Sequence, residues 1–290
     1  MLVNVRALHA EDNEQVRRVS NSVWEDDYIA NNFLSWIDDP SWHFVGVFED
    51  DDLVSFTALQ EVPGAIFGWI KGLRTDIDRQ RKGYGSLAVR RALEIAKGIG
   101  LHEIRYVTGS RNEASLQLAL KLGFEVFEKV MSFRLTKPFP PRPKPSPSIV
   151  PLNADAARVY EAVQRFPDLM GTQTIPFPYE FEEKTREGFE RVGRKVDFKL
   201  IISDSGEALS LFYIRDFEND GTVNRRATLF ARDRSAFVDT ISRIIEDTER
   251  DGIESLGFLL GPNASDWVSS MMLLSEEYMN RSLILLTLKL

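Results

Sequence analysis

The sequence predicts a mixed α/β protein with two tandem domains, each a mixed sheet with helices packed on both faces. Strand-like and helix-like hydrophobic patterns alternate along both halves of the 290-residue chain. A proline-rich segment separates the halves, and the order of elements before it is repeated after it. We therefore predict a first domain over 1–137, an extended, semi-rigid linker over 138–147 and a second domain over 148–290.

In the first half, Val3–Ala7 predicts a strand, and helical spacing follows over Glu11–Trp24 and Asn31–Ile37. Two apolar runs then flank the acidic residues 49–52, which indicates a hairpin with a solvated tip, although a metal or amine site there is an alternative. The remaining predicted elements are the strand Phe67–Thr75, a helix from Tyr84, the strand Ile104–Thr108, the helix Glu113–Leu122 and one or two strands in Phe124–Leu135.

Composition excludes several classes of protein. The net charge of −8 disfavours a nucleic-acid partner, and no apolar run reaches membrane-spanning length, so we expect a cytoplasmic protein that does not bind membranes. The chain has no cysteine, and its only histidines are His9, His43 and His102. Disulfides, thiolate chemistry and a bound metal are therefore not expected.

The segment 80–86, which we call the glycine turn, has the features of an anion site. It joins a predicted strand to a predicted helix and contains Arg81, Lys82, Gly83 and Gly85. The first backbone amides of a helix have no partner inside the helix, and they lie at the positive end of its dipole. Glycine has no Cβ to keep a phosphate away from these amides.

Two motifs in the first half resemble those of one enzyme family. The pattern Gln80-x-x-Gly83-x-Gly85 resembles the pyrophosphate loop of the GCN5-related N-acetyltransferases (GNAT), which bind coenzyme A. Further along, Asn112 opens a predicted helix that ends in Leu122-Gly123-Phe124, like the next motif of that family. The resemblance implies a tandem chain of acyl-CoA N-acyltransferase-like domains.

The resemblance also implies acetyl-CoA as co-substrate, with roles for residues by position. The end of the strand should contact the pantetheine arm, the glycine turn should hold the pyrophosphate, and the Asn112 side chain should lie along the arm. The implied binding residues are Leu73, Arg74, Thr75, Arg81, Lys82, Gly83, Tyr84, Gly85, Ser86 and Asn112.

The catalytic groups are not identified by this resemblance. Ala119 occupies the position where the family often has a tyrosine acid, and Trp69 the position where some members have a glutamate base. Weak candidates are Glu61, His43 and His102, whose side chains can exchange protons.

After the linker the predicted elements return in the same order. Two strands flank Asp204–Glu207, a strand and a long helix follow, and a helix through Trp267, Met271, Leu274 and Tyr278 precedes the terminal strand Leu283–Leu290. Between the strand and the long helix stands Asp233-Arg234-Ser235, with no glycine. We therefore predict a degenerate second copy that does not hold coenzyme A.

These features predict an acyltransferase that moves an acetyl group from acetyl-CoA to a primary amine, with a small molecule as the acceptor. One alternative is a non-catalytic acetyl-CoA sensor, and another is a protein acetyltransferase for lysine or N-terminal amines. A homodimer is left open, and the sequence does not identify the acceptor.

Overall fold

The computed structural model describes residues 2–25, 27–147, 149–219, 221–270 and 281–290. Its contacts divide the chain into two compact units. The first contains Met1–Thr108, Asn112–Phe127 and Leu285–Leu290, and the second contains Gly109–Arg111 and Glu128–Ile284.

The helices and strands follow the predicted order, except for a short hairpin and a helix in the second half that were not predicted. In the first half they are β1 (Val3–Ala7), α1 (Asn13–Val23), α2 (Tyr28–Trp36), β2 (Trp42–Glu49), β3 (Asp52–Glu61), β4 (Phe67–Thr75), α3 (Tyr84–Gly98), β5 (Glu103–Gly109), α4 (Glu113–Lys121) and β6 (Glu125–Thr136). In the second half they are β7 (Leu152–Ala154), α5 (Ala156–Arg165), β8 (Thr174–Phe177), β9 (Glu180–Glu183), α6 (Arg186–Gly193), β10 (Phe198–Ile202), β11 (Ala208–Asn219), β12 (Thr222–Ala231), α7 (Arg234–Arg250), β13 (Ser255–Leu260), α8 (Pro262–Ser270) and β14 (Ser282–Lys289).

The first unit has a mixed sheet with apolar cores on both faces. Its strands lie in the order β1-β2-β3-β4-β5, antiparallel except for the parallel pair β4–β5, with Leu285–Leu290 beside β5. On one face Phe33 of α2 packs in a cluster with Phe44 and Phe56. On the other, Tyr84 of α3 packs in a cluster with Val47. This arrangement confirms the predicted fold class for this half.

The second unit has a similar sheet, in the order β6-β13-β12-β11-β10-β7, with β12–β13 as its parallel pair. Helix α7 covers one face, where Phe237 clusters with Phe258. Helices α5 and α6 and the hairpin β8–β9 cover the other face, where Phe189 clusters with Tyr213. The hairpin was not predicted, because strands of four residues are too short to give a clear alternation.

The proline-rich linker contains no helix or strand, as expected, but it is not a free spacer. Phe139 is 9% exposed and belongs to the core beneath α7. Arg142 pairs with Glu249 at 2.5 Å, and the Ser146 amide donates to Asp239 at 2.5 Å. These contacts attach the segment to the surface of α7, and its role as a linker between domains stays a prediction.

The compact units do not coincide with the sequence division at the linker. Residues Glu128–Thr136 of β6 belong to the second unit, because this part of the strand pairs with β13 from Thr136↔Ser255 to Met131↔Leu260. Residues Leu285–Leu290, which comprise the end of β14 and the residue after it, belong to the first. The boundaries at 137 and 148 therefore stay a prediction about the sequence repeat. The predicted helix residues Met271, Leu274 and Tyr278 lie outside the described residues.

Candidate functional site

The strand β4 separates from β5 at the middle of the first unit's sheet. The parallel ladder runs from Phe67↔Glu103 to Ile70↔Tyr106 and stops there. On its other edge β4 stays paired with β3 as far as Thr75↔Ser55. The backbone of Leu73, Arg74 and Thr75 therefore has no neighbouring strand on the β5 side, which leaves an opening between the two strands.

A β-bulge in β4 accompanies this opening. Lys71 pairs with Ala58 and Arg74 with Phe56, so Gly72 and Leu73 together face Thr57. Gly72 has φ +62°, and a Cβ on it would lie 2.5 Å from Cδ1 of Ile29 in α2. Since a bulge bends and twists its strand, this one directs the end of β4 away from β5. Sequence reasoning did not identify it.

The glycine turn follows β4 after a short 3-10 helix, Ile77–Arg79, and continues into the first turn of α3. Gly83 is the N-cap of α3, has φ +88° and provides no side-chain cap. Within the described residues, no hydrogen bond is donated by the amides of 83–86, and a Cβ on Gly83 would meet nothing within 4 Å. These amides form an open donor cluster at the helix N-terminus, with the chemistry that a pyrophosphate requires.

Gly85 has a different role from Gly83. A Cβ on Gly85 would lie 3.2 Å from Leu118 in α4, 3.3 Å from Thr75 and 3.7 Å from Leu73. This glycine therefore allows the first turn of α3 to pack closely against β4 and α4. Packing therefore favours a glycine at this position, and the expected role of Gly85 in opening the backbone to phosphate stays a prediction.

The side chains of the turn divide into exposed and anchoring groups. Arg81 and Lys82 are exposed, and Arg81 has φ +62°. Ser86 is half-buried. Tyr84 is buried, and its hydroxyl donates to Glu49 at 2.7 Å, a bond that raises the pKa of the phenol. Tyr84 therefore holds the turn against β2, and its ring is not available to a ligand.

The acidic hairpin tip lies beside this anchor. Glu49 also pairs with Arg79 at 2.8 Å, and Asp52 pairs with Arg18 at 2.6 Å. No group of three histidine or acidic side chains that could hold a metal occurs among the described residues. The contacts assign the tip to ion pairs within the fold.

The Arg74 side chain points to α2. Its Nε and Nη2 donate to the Asp27 carboxylate at 2.5 and 2.9 Å, and Asp27 is 3% exposed. Burial disfavours the charge on Arg74, but the hydrogen bonds and charge of Asp27 outweigh it, so the pKa of Arg74 is raised. The Arg74 guanidinium is thus held by Asp27, and its Nη1 also donates to the Leu73 carbonyl at 2.9 Å. The Arg74 carbonyl accepts from Oγ of Ser55 at 2.7 Å.

A tyrosine that sequence reasoning missed stands where β4 and β5 separate. Tyr106 is the last paired residue of β5, is 7% exposed, and has its hydroxyl 2.6 Å from Oγ of Ser115 in α4. Burial raises the pKa of this phenol above its ordinary value, so the proton is retained at neutral pH. The sequence signal was a tyrosine in the strand before the Asn112 motif.

Asn112 occupies the N-cap of α4, where its side-chain oxygen accepts from the Ser115 amide at 3.2 Å. Ala119, at the position of the family tyrosine, is 1% exposed. A tyrosine ring would not fit there without displacing its neighbours. Tyr106 and Ser115 therefore provide a pair of hydroxyl groups beside the end of the β4–β5 ladder.

Two of the three weak catalytic candidates come together. Nε2 of His43 lies 2.7 Å from Oε1 of Glu61. Register places both on the α3 face, and Glu61 pairs with Gly68, three residues before β4 opens at Lys71. At about 3.3 Å per residue the pair lies roughly 10 Å from the opening. His102 is exposed at the start of β5, away from both.

The corresponding region of the second unit is closed. Its parallel pair β12–β13 stays joined over six residues, from Asn224↔Ser255 to Leu229↔Leu260. Asp233 caps α7 by accepting from the Ala236 amide at 2.8 Å. The Asp233 carboxylate thus accepts a hydrogen bond from an amide that a phosphate would need. The absence of coenzyme A binding in this copy stays a prediction, and the joined strands and the Asp233 cap support it.

The described part of the chain contains no helix that is both long and apolar enough to cross a membrane. Comparison with known proteins identifies the family of the first half. Residues 5–124 match the family model described as "Acetyltransferase (GNAT) family". A search of curated proteins gives no match.

Solved structures match the whole chain. A candidate acetyltransferase from Thermoplasma acidophilum has a TM-score of 0.65 and 13% identity, covering 99% of this chain and 100% of that one. A tandem GNAT protein from the clavulanic acid biosynthesis pathway has a TM-score of 0.61 and 12% identity, covering 99% and 98%. A GCN5-related N-acetyltransferase from Kribbella flavida has a TM-score of 0.56 and 14% identity, covering 99% and 70%.

At these identities the structural likeness shows the fold alone. It confirms two tandem acyl-CoA N-acyltransferase-like domains, and the family match confirms the prediction of an acyltransferase that uses an acyl-CoA. Residues 5–124 thus match the acetyltransferase (GNAT) family, and the full length has the fold of a tandem GNAT protein.

Proposed function

We propose that the chain transfers an acetyl group from acetyl-CoA to a primary amine of a small molecule, at one site in the first unit. The observation that carries the proposal is the open amide cluster of 83–86 directly beside the opening of β4. An anion site and an unpaired strand edge in this order fit a ligand with a pyrophosphate and an amide-containing arm. The net charge of −8 favours a cationic acceptor.

The chain's own residues would act in three ways. The amides of the glycine turn would bind the pyrophosphate, helped by Arg81 and Lys82. Backbone groups of Leu73–Thr75 would hold the arm and polarise the carbonyl. Bound acetyl-CoA would supply the thioester, whose carbonyl carbon forms a bond with the amine nitrogen as its bond to sulfur breaks.

Tyr106 is the proton donor in this proposal. Its hydroxyl would give a proton to the leaving sulfur, with Ser115 orienting it, and solvent would take the proton released by the amine. The His43–Glu61 pair is a second acid–base couple, but its distance from the opening favours Tyr106.

One specific observation favours a non-catalytic sensor as the second candidate. Ala119 replaces the family acid and Trp69 the base, and Trp69 is 2% exposed. Thiol release from acetyl-CoA, measured with a panel of small amines and with lysine and N-terminal peptides, separates the candidates. Thiol release with a small amine supports the proposal. Release only with peptides would indicate a protein acetyltransferase, and binding of acetyl-CoA without release would indicate a sensor.

A further inference from the structure

Three arginines cross the sheet of the second unit in one line. Arg134 of β6 faces Gly257 of β13, Gly257 faces Arg226 of β12, and Arg226 faces Arg215 of β11. Paired residues on neighbouring strands project from the same face of a sheet. Arg134, Arg215 and Arg226, which we call the arginine row, therefore share one face, the face that α5 and the hairpin β8–β9 cover.

Gly257 allows the row to come together. A Cβ on this residue would lie 3.4 Å from Cγ and 3.8 Å from Cδ of Arg226. The aliphatic part of Arg226 therefore lies over Gly257, in the direction of the strand that carries Arg134. Since these are ordinary van der Waals distances, the aliphatic part of Arg226 packs directly on β13 at this residue.

Aromatic rings hold two of the arginines in place. The Phe217 ring centre is 4.8 Å from the Arg215 guanidinium and 5.7 Å from that of Arg226. Arg226 also lies 5.2 Å from the ring centre of Tyr179, at the turn of the hairpin β8–β9. Stacking of this kind orients a guanidinium without neutralising it.

The charge of the row is not balanced by the protein. Within the described residues, no carboxylate forms an ion pair with any member of the row, whereas Arg225, the next residue to Arg226, pairs with Asp216 and Asp251 at 2.8 Å. Burial lowers the pKa of Arg226; Tyr179 opposes this, the charge of Arg134 adds to it, and the net direction is downward. Placing like charges together, two of them half-buried, costs free energy unless an anion joins them.

We propose that the arginine row binds a small anion with two or more charged oxygens, either a phosphate or a polycarboxylate. Guanidinium groups recognise both through paired N–H donors. The site lies in the copy that lacks the glycine turn, and it does not depend on the function proposed for the first unit.

The test measures binding of inorganic phosphate and of citrate to the full chain, by calorimetry and by the shift in melting temperature at constant ionic strength. We expect saturable binding of at least one of them. Arg226→Gln and Arg134→Gln should each weaken it by about tenfold or more, because each removes a charge-assisted hydrogen bond. Arg134 is exposed, so its replacement should leave the fold intact.

Two controls make the result specific. Arg165→Gln removes an exposed arginine that stacks on Phe166 at 5.1 Å, far along the chain from the row, and should leave the affinity unchanged. Arg91→Gln, which removes an exposed arginine of α3 that pairs with Glu94 at 2.8 Å in the first unit, should also leave it unchanged. Absence of saturable binding by either anion, or an equal loss in Arg165→Gln, would overturn the proposal.

Discussion

The Arg74 guanidinium forms a two-pronged ion pair with the buried carboxylate of Asp27, at 2.5 and 2.9 Å. The pair joins the open end of β4 to the first turn of α2, because Asp27 is also the N-cap of that helix and accepts from the Ile29 amide at 3.2 Å. The position of the strand end, and so of the candidate site, depends on this contact.

Asp27→Asn should therefore destabilise the protein. Asparagine keeps a capping oxygen but removes the charge, leaving a buried arginine unpaired, which typically costs about 3–5 kcal/mol. Denaturant unfolding measures the loss. Glu94→Gln, which breaks the exposed pair with Arg91, is the matched control and should change the free energy of unfolding by less than about 0.5 kcal/mol. Equal effects of the two changes would contradict this role.

Tyr106→Phe should lower the turnover number about 100-fold with little change in the KM for acetyl-CoA, because it removes a proton donor and leaves the ring in place. The pKa of Tyr106 is raised above the ordinary tyrosine value near 10, so its phenol stays protonated across pH 7–9. The activity of the native protein should therefore show no loss from tyrosine ionisation over this range. Steady-state kinetics over this range test both points. Tyr160→Phe, a change in the second unit, should leave the turnover number unchanged. A similar fall in turnover with Tyr160→Phe would contradict the role of Tyr106 as proton donor.

Asp12 gives a pH dependence of stability. Its carboxylate accepts from Arg6 at 2.7 and 2.8 Å, and this bond holds the pKa of Asp12 below its ordinary value. The carboxyl group of Asp12 is thus more acidic in the folded state than in the unfolded state. Its contribution to the free energy of unfolding is complete above about pH 4 and is lost as the pH falls through the pKa of the folded state. Asp12→Asn should cost about 1–3 kcal/mol at pH 7 and progressively less below pH 4. A difference from the native protein that is constant from pH 7 to pH 3 would exclude this account.

The last strand is needed by the first unit. Leu285 and Leu286 are fully buried, and the Leu290 amide donates to the His102 carbonyl at 3.0 Å. A chain ending at Ile284 should expose the edge of β5 and aggregate. Light scattering and soluble yield measure this, with Lys289→Ala as the control that keeps the strand. A monodisperse chain ending at 284 would show that the strand is dispensable.

Local patterns were enough to predict most strands, the long helices and the glycine turn, because periodicity and glycine placement act over a few residues. Local patterns could not predict the features that depend on strand register or on contacts between elements. The pairing of His43 with Glu61, the bulge at Gly72 and the meeting of Tyr106 with Ser115 each join residues from different elements. The membership of β6 and β14 in the units depends on pairing across more than a hundred residues, which no local signal records.

The central claim is that the glycine turn binds acetyl-CoA, and the most direct measurement is calorimetry on Gly83→Ala beside Gly100→Ala. Both glycines have positive φ, +88° and +82°, and a Cβ on either would meet nothing within 4 Å, so backbone strain should be similar at the two ends of α3. We expect the native chain to bind one acetyl-CoA, Gly100→Ala to keep that affinity, and Gly83→Ala to lose about tenfold or more, since its methyl group would occupy the space of the pyrophosphate. Equal affinities of the two variants, or a stoichiometry of two, would contradict the account.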